Sequence, residues 1–173
     1  ERFDLETRSH MGSAIAAGTG GLDQPRGILL PGDGTILVTS IDNRVLEFDL
    51  EGQYIRELIP GGHIELVDPR GMVMRPGGTL LVTSHGTNSI LEYDRQSGDY
   101  LGRYDRGGLP TGYWGLGQPW ALRLGPDGDV YVSTHGANTA VQVYEESTGL
   151  FKRRFYILSQ LIPAPTGFDF APP

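Results

Sequence analysis

Residues 67–104 decide the fold. They read Val67-Asp-Pro-Arg-Gly-Met-Val-Met74, a turn Arg75-Pro-Gly-Gly78, then Thr79-Leu-Leu-Val-Thr-Ser84, then Asn88, then Ser89-Ile-Leu-Glu-Tyr-Asp94, and finally Tyr100-Leu-Gly-Arg-Tyr104. Short runs of β-branched, aliphatic and aromatic residues are separated by Gly, Pro, Asn and Asp, which is the punctuation of hairpins. Gly in these turns supplies the positive φ that tight connections require. The stretch therefore predicts four antiparallel strands in a meander. The second run is apolar without interruption, as in a strand buried on both faces. The third and fourth alternate more and carry more charge, which predicts strands nearer the outside.

The same unit occurs on either side. Leu22-Asp-Gln-Pro-Arg-Gly-Ile-Leu-Leu30 and Leu116-Gly-Gln-Pro-Trp-Ala-Leu-Arg-Leu124 match its opening. The turns Pro31-Gly-Asp-Gly34 and Gly125-Pro-Asp-Gly128 lead into Thr35-Ile-Leu-Val-Thr-Ser40 and Asp129-Val-Tyr-Val-Ser-Thr134. Asn43 and Asn138 precede Arg44-Val-Leu-Glu-Phe-Asp49 and Thr139-Ala-Val-Gln-Val-Tyr144, and Tyr54–Leu58 and Leu150–Tyr156 close the units. The recurring Pro25, Pro69, Pro119 and Pro165 are spaced by 44, 50 and 46 residues. Four short strands at this period form the blade of a β-propeller, whose sheets bury both faces by packing against one another. No segment shows helical periodicity beyond a turn or two.

The reading is thus all-β: a single propeller over 1–173 with full blades at 22–65, 66–115 and 116–160. Residues 1–21 are a partial blade, with Glu1–Thr7 as a third strand and its turn and Ser13–Ala17 as a fourth strand. Residues 161–173 carry the first strand of a further blade, Ala164–Phe170. Three full blades make an incomplete ring, which would expose strand edges and an apolar face. A fragment, docking onto a larger assembly, or association of copies comes first among the solutions. Pairing of the two ends within one chain comes last.

Composition narrows the function. The chain has 14 basic and 21 acidic residues, a formal charge of −7, and Lys152 as its only lysine, which argues against a nucleic-acid binder. No apolar run is long enough to span a membrane. There is no cysteine, so disulfide scaffolds, thiolate metal sites and Cys nucleophiles are excluded. No leader sequence is visible, and no compartment is indicated. No phosphate-binding Walker loop, Gly-x-Ser-x-Gly elbow or EF-hand loop occurs, and the sequence requires no cofactor.

The Pro-Arg-Gly, Gly-Pro-Asp-Gly, Val-Tyr-Val-Ser and following Asn elements together resemble NHL-type repeats and the related virginiamycin B lyase-like propellers. That resemblance implies inner strands lining a central channel, with the loops entering the first strand and leaving the second gathered at one mouth. It places Arg26, Arg70, Trp120 and Thr166 around one rim, with Ile41, His85 and His135 nearby. In lyases of these families, His residues at the mouth serve catalysis or metal binding. This chain departs from them. Ile41 stands where two other blades have His, and Pro-Arg-Gly or Pro-Trp-Ala stands where those lyases often have Pro-His-Gly. Two His fall short of the three protein ligands usual for zinc.

His85 and His135 could bind a metal or act as general bases, and Arg26 and Arg70 could clamp a carboxylate or phosphate. Alternatively each His bonds its own loop backbone, and the two Arg pair with Asp23 and Asp68. Trp120 and Trp114 flank the insertion Gly107–Gly117 and either form a recognition surface or cap the core. His10 and His63 read as surface-loop residues, and Lys152–Arg154 as a solvated outer edge. Three functions follow: a scaffold presenting its loop face and channel to a protein or small ligand; a lyase or hydrolase with its site at the mouth; or a structural subunit, homo-oligomeric or docked on an assembly.

Overall fold

The computed structural model describes residues 2–3, 9–106, 115–135, 139–156 and 167–170. Among these, three four-stranded antiparallel sheets follow one another along the chain. The first comprises β3 (Ile28–Leu29), β4 (Thr35–Ser40), β5 (Arg44–Asp49) and β6 (Tyr54–Ile59). The second comprises β7 (Pro69–Met74), β8 (Thr79–Ser84), β9 (Ser89–Asp94) and β10 (Tyr100–Arg103). The third comprises β11 (Pro119–Leu124), β12 (Val130–Thr134), β13 (Ala140–Tyr144) and β14 (Phe151–Tyr156). Strand order within each sheet is sequential, and the first strands β3, β7 and β11 lie side by side. This is an incomplete propeller.

Before these sheets, β1 (Arg2–Phe3) pairs with β2 (His10–Gly12) in a two-stranded ribbon. The fourth strand of the leading unit therefore lies at 10–12, and the expected strand at Ser13–Ala17 is a bend and turn instead. A single 3₁₀ turn, Thr19–Gly21, joins it to the first blade. Of the expected closing strand Ala164–Phe170, residues 164–166 lie outside the described residues. Phe170 packs edge-on against Tyr131 at 4.9 Å.

Continuous apolar strands follow from burial on two fronts. Successive side chains of a strand point to opposite faces. Leu80 and Val82 join Leu37 and Val45 in the core between the first and second blades. Leu81, one residue along, joins Leu122 and Val132 between the second and third. Ile36 and Val38 face the other way and pack with Ile15 and Leu22. The third strands differ from expectation. They are nearly as buried as the second ones, and Glu47 in β5 is only 4% exposed. Arg95 from the next blade donates to Glu47 at 2.6 Å and to Asp33 at 2.8 Å, and Arg56 donates to Glu47 at 2.6 Å. Burial pushes the Glu47 carboxyl up, but those two guanidinium groups hold it below its ordinary value. One interface along, Arg75 ties Glu92 of its own blade to Glu146 of the next. A charged column on a buried strand is thus neutralised across the blade seam.

Three further backbone devices repeat at the seams. Asn43 and Asn88 adopt left-handed φ of 68° and 55° at the turn between second and third strands. Their side chains accept the N–H of Asp68 (2.8 Å) and Gln118 (2.7 Å) in the following blade. Glycines in the outer hairpins press on the preceding blade. A Cβ on Gly98 would lie 1.8 Å from the Leu58 carbonyl oxygen, and one on Gly149 1.9 Å from that of Tyr104. Gly52 meets Ala14 in the same way at 1.9 Å, which fixes residues around Ala14 as the outer edge of the leading unit. The third device lies on the inner strands and shapes the site described below.

Two predictions follow from the seams. Asn43→Ala loses both the inter-blade hydrogen bond and a residue suited to left-handed backbone, and should cost about 2 kcal/mol, with Asn43→Gly costing about half. Urea midpoints at constant m-value measure this. Gly98→Ala should prevent normal folding, because the clash is with backbone. Gly77→Ala, with open space around it, should change stability by less than about 0.5 kcal/mol.

Candidate functional site

The inner strands carry a β-bulge. Pro69 pairs with Ser84 while Met72 pairs with Val82, so β7 holds one extra residue at Arg70-Gly71. β11 repeats this at Trp120-Ala121. A bulge bends the strand and re-aims its side chains. The N–H of Gly71 is taken by Thr83 Oγ1 at 2.7 Å, and the same hydroxyl donates to the Trp120 carbonyl of the next blade at 3.0 Å. One blade earlier, Gly27 N–H bonds Thr39 Oγ1 at 2.7 Å, which donates to the Arg70 carbonyl at 3.1 Å. Gly is needed here because the neighbouring backbone comes so close. A Cβ on Gly27 would sit 1.9 Å from the Arg70 oxygen, and one on Gly71 2.5 Å from that of Trp120.

This arrangement gathers five of the sequence-predicted residues. Asp68 is one hub. Arg70 donates to its Oδ2 at 2.6 Å, His85 Nδ1 lies 3.2 Å from the same oxygen, and Arg26 Nε lies 4.0 Å from Oδ1. Trp120 is the other hub. The Arg70 guanidinium lies 3.9 Å from its ring centroid, His85 meets it edge-on at 5.5 Å, and His135 stacks on it at 5.2 Å. Of the expected Arg–Asp pairing, Arg70 makes a close one with Asp68, while Arg26 only approaches the same carboxylate at 4.0 Å. The His85 imidazole faces the Asp68 carboxylate instead of its own loop backbone. His135 Nε2 is buried with no hydrogen-bond partner among the described residues. Ile41, His85 and His135 occupy equivalent backbone positions, each bonding through its N–H to the loop that enters the inner strand.

Burial, and the nearby Arg70 cation, lower the His85 pKa below its ordinary value, against the opposing pull of Asp68. His85 is therefore neutral at pH 7. Among the described residues no three His, Asp or Glu side chains are grouped to hold a metal ion. Trp114 and Thr166 lie outside the described residues.

A cavity of about 180 Å³ opens on the inner face, lined by Arg26, Arg70, Arg123, Trp120 and the glycines 27 and 71. Arg123 was not among the residues predicted from sequence. Its signal is there in retrospect: it is the one charged residue at a position held by Leu29 and Val73 in the other blades. His63, expected at the surface, is half-buried with its ring 4.4 Å from that of Tyr100. Lys152 and Arg153 on the outer edge are exposed but paired with Asp129 and Asp127.

No family model matches the chain, and no curated protein does. Solved structures match its fold. Hydrazine synthase from Kuenenia stuttgartiensis is 18% identical with a TM-score of 0.61, over 87% of this chain and 40% of that one. Catalytically inactive virginiamycin B lyase from Staphylococcus aureus, with quinupristin, is 22% identical with a TM-score of 0.58, over 82% and 42%. The computationally designed protein Ika4 is 12% identical with a TM-score of 0.56, over 83% and 79%. The chain spans about two fifths of the two natural proteins. At these identities the likeness is one of fold: this chain has a β-propeller fold of the kind seen in virginiamycin B lyase.

The lowered His85 pKa has a consequence for stability. The unfolded chain binds the proton near its ordinary pKa of about 6.5, while the folded chain binds it only at lower pH. Stability present above that value is lost as the pH falls through the folded pKa. Urea unfolding from pH 7 to 5 should show a smaller loss in His85→Gln than in the wild type. Equal losses would contradict the assignment.

Proposed function

We propose that this chain is a binding propeller whose ligand seats on the inner face, against the Arg70–Trp120 stack. The carrying observation is the convergence of three inner strands on one cavity walled by three guanidinium groups and an indole. Buried aromatics and Arg are the side chains that supply most binding energy at recognition sites. Trp120 is held by Arg70 at 3.9 Å and by His135 at 5.2 Å, so little ordering remains to be done when a ligand arrives.

An enzymatic reading is supported by a separate feature. His85 Nδ1 lies 3.2 Å from the Asp68 carboxylate and burial lowers its pKa, two features that suit a general base. A lyase or hydrolase would use His85 as base, with Arg26 and Arg70 holding the substrate's anionic group. The assembly reading draws on the front of the first blade. There a cavity of about 290 Å³ is lined by Ile15, Leu22, Ile28 and Val38. Ile28 and Leu30 beside it are about 60% exposed.

Amide NMR of the full chain with a fragment library separates these readings. Binding should perturb the inner-strand amides around Gly71 and Trp120, and Trp120→Ala should weaken it at least tenfold. Perturbations confined to the first-blade groove would favour assembly. Turnover abolished by His85→Gln with ligand affinity unchanged would favour the enzyme.

A further inference from the structure

The inner-face cavity is more selective than a generic binding surface. Among the described residues its charged lining side chains are Arg26, Arg70 and Arg123. Arg70 is the most closely engaged: it donates to Asp68 at 2.6 Å, its guanidinium carbon lies 3.9 Å from the Trp120 ring centroid, and its side chain is 11% exposed, with Nε buried and unpartnered among the described residues. The other two are held less closely. Among the described residues, the ionic contact of Arg26 is Asp68 at 4.0 Å, and that of Arg123 is Asp169 at 4.0 Å. Both distances exceed hydrogen-bonding range. Asp169 is itself 85% exposed. Arg123 also donates to the Leu122 carbonyl at 2.8 Å, which pins one of its nitrogens and leaves the rest of its fork open.

The charge balance is uneven. Three guanidinium groups meet one closely paired carboxylate, Asp68, while the neighbouring His85 stays neutral. A chain of net charge −7 thus concentrates positive potential in one concave spot. Clefts lined by one sign of charge focus the field and draw in counter-ions. The depression is small, about 180 Å³, and open on one side, so the three guanidinium groups can meet only a compact anionic group seated in it.

Building on the binding reading above, we propose that this cavity is a site for a compact dianion of carboxylate or phosphate chemistry, held between Arg26 and Arg123 beside the Trp120 ring. Arg70 acts as a positioning residue, fixing Trp120 and Asp68. Arg forks match carboxylate and phosphate oxygens in pairs, so a planar or tetrahedral oxyanion is recognised where a neutral amide of equal size is not.

Titration calorimetry of the full chain at low salt tests this with succinate, inorganic phosphate and neutral succinamide. Saturable binding of succinate or phosphate is expected, weakening at least tenfold in Arg26→Gln and in Arg123→Gln, and unchanged in Arg153→Gln on the outer edge. Succinamide should not bind. In the wild type, raising the salt should weaken binding, a readout that needs no variant. Whichever of the two anions binds identifies the oxyanion chemistry. Failure of both to bind, or binding indifferent to both substitutions, overturns the proposal. If a neutral aromatic fragment still shifts the Trp120 amide while both dianions fail, the inner-face site stands and its anion selectivity falls.

Discussion

The close approach of neighbouring inner strands, bridged by one hydroxyl per seam, governs the rest of the molecule. Thr39 and Thr83 each take a glycine N–H freed by a bulge or strand start and hand a hydrogen bond to the carbonyl of the next blade. Glycine at 27 and 71 is the condition for that contact, since any side chain would collide with backbone. The outer edge is held by a second backbone contact, where Gly52, Gly98 and Gly149 meet carbonyls of the preceding unit. Between these two rows the apolar strands fill the seam. The blade angle is thus set at both rims by backbone geometry, and the aliphatic core adjusts to it.

The chemistry of the inner face follows from the same constraint. Because the bulge spends an extra residue, Arg70 and Trp120 turn toward their neighbours and stack on one another. Asp68, held by Asn43 through its backbone N–H, is positioned to receive Arg70 and His85. Burial in this packed corner lowers the pKa of His85 below its ordinary value, and arginine supplies the permanent positive charge of the inner face. The paired acids and bases of the seams, such as Glu47 with Arg95, neutralise one another, whereas on the inner face three guanidinium groups stand around one closely paired carboxylate.

Much of this was legible in the sequence. The recurrence of Pro, Gly-rich turn, apolar run and Asn specified blades and their order, and equivalent positions put Arg26, Arg70, Trp120, His85 and His135 together. What was hidden was of two kinds. Strand burial was misjudged because Glu47 and Glu92 look like solvent-facing residues until their cross-seam partners Arg95 and Arg75 are known, and those partners are far away in sequence. Ser13–Ala17 is apolar enough for a strand, but the strand lies at 10–12 and the following residues bend, bringing the Ala14 carbonyl close against Gly52. Arg123 carries no repeat signal of its own, since the equivalent positions in the other blades are Leu29 and Val73. The recurring Asn is visible in the sequence, but its role as an acceptor for the next blade's backbone depends on left-handed geometry.

Hydrogen exchange at the Gly71 amide tests the central claim most directly. In the native chain this amide should be protected like those of the sheets, although it sits in a bulge, and Thr83→Val should collapse that protection at least tenfold while the amides of β9 keep theirs. A Gly71 amide that exchanges freely in the wild type, or one that Thr83→Val leaves unchanged, would contradict the account.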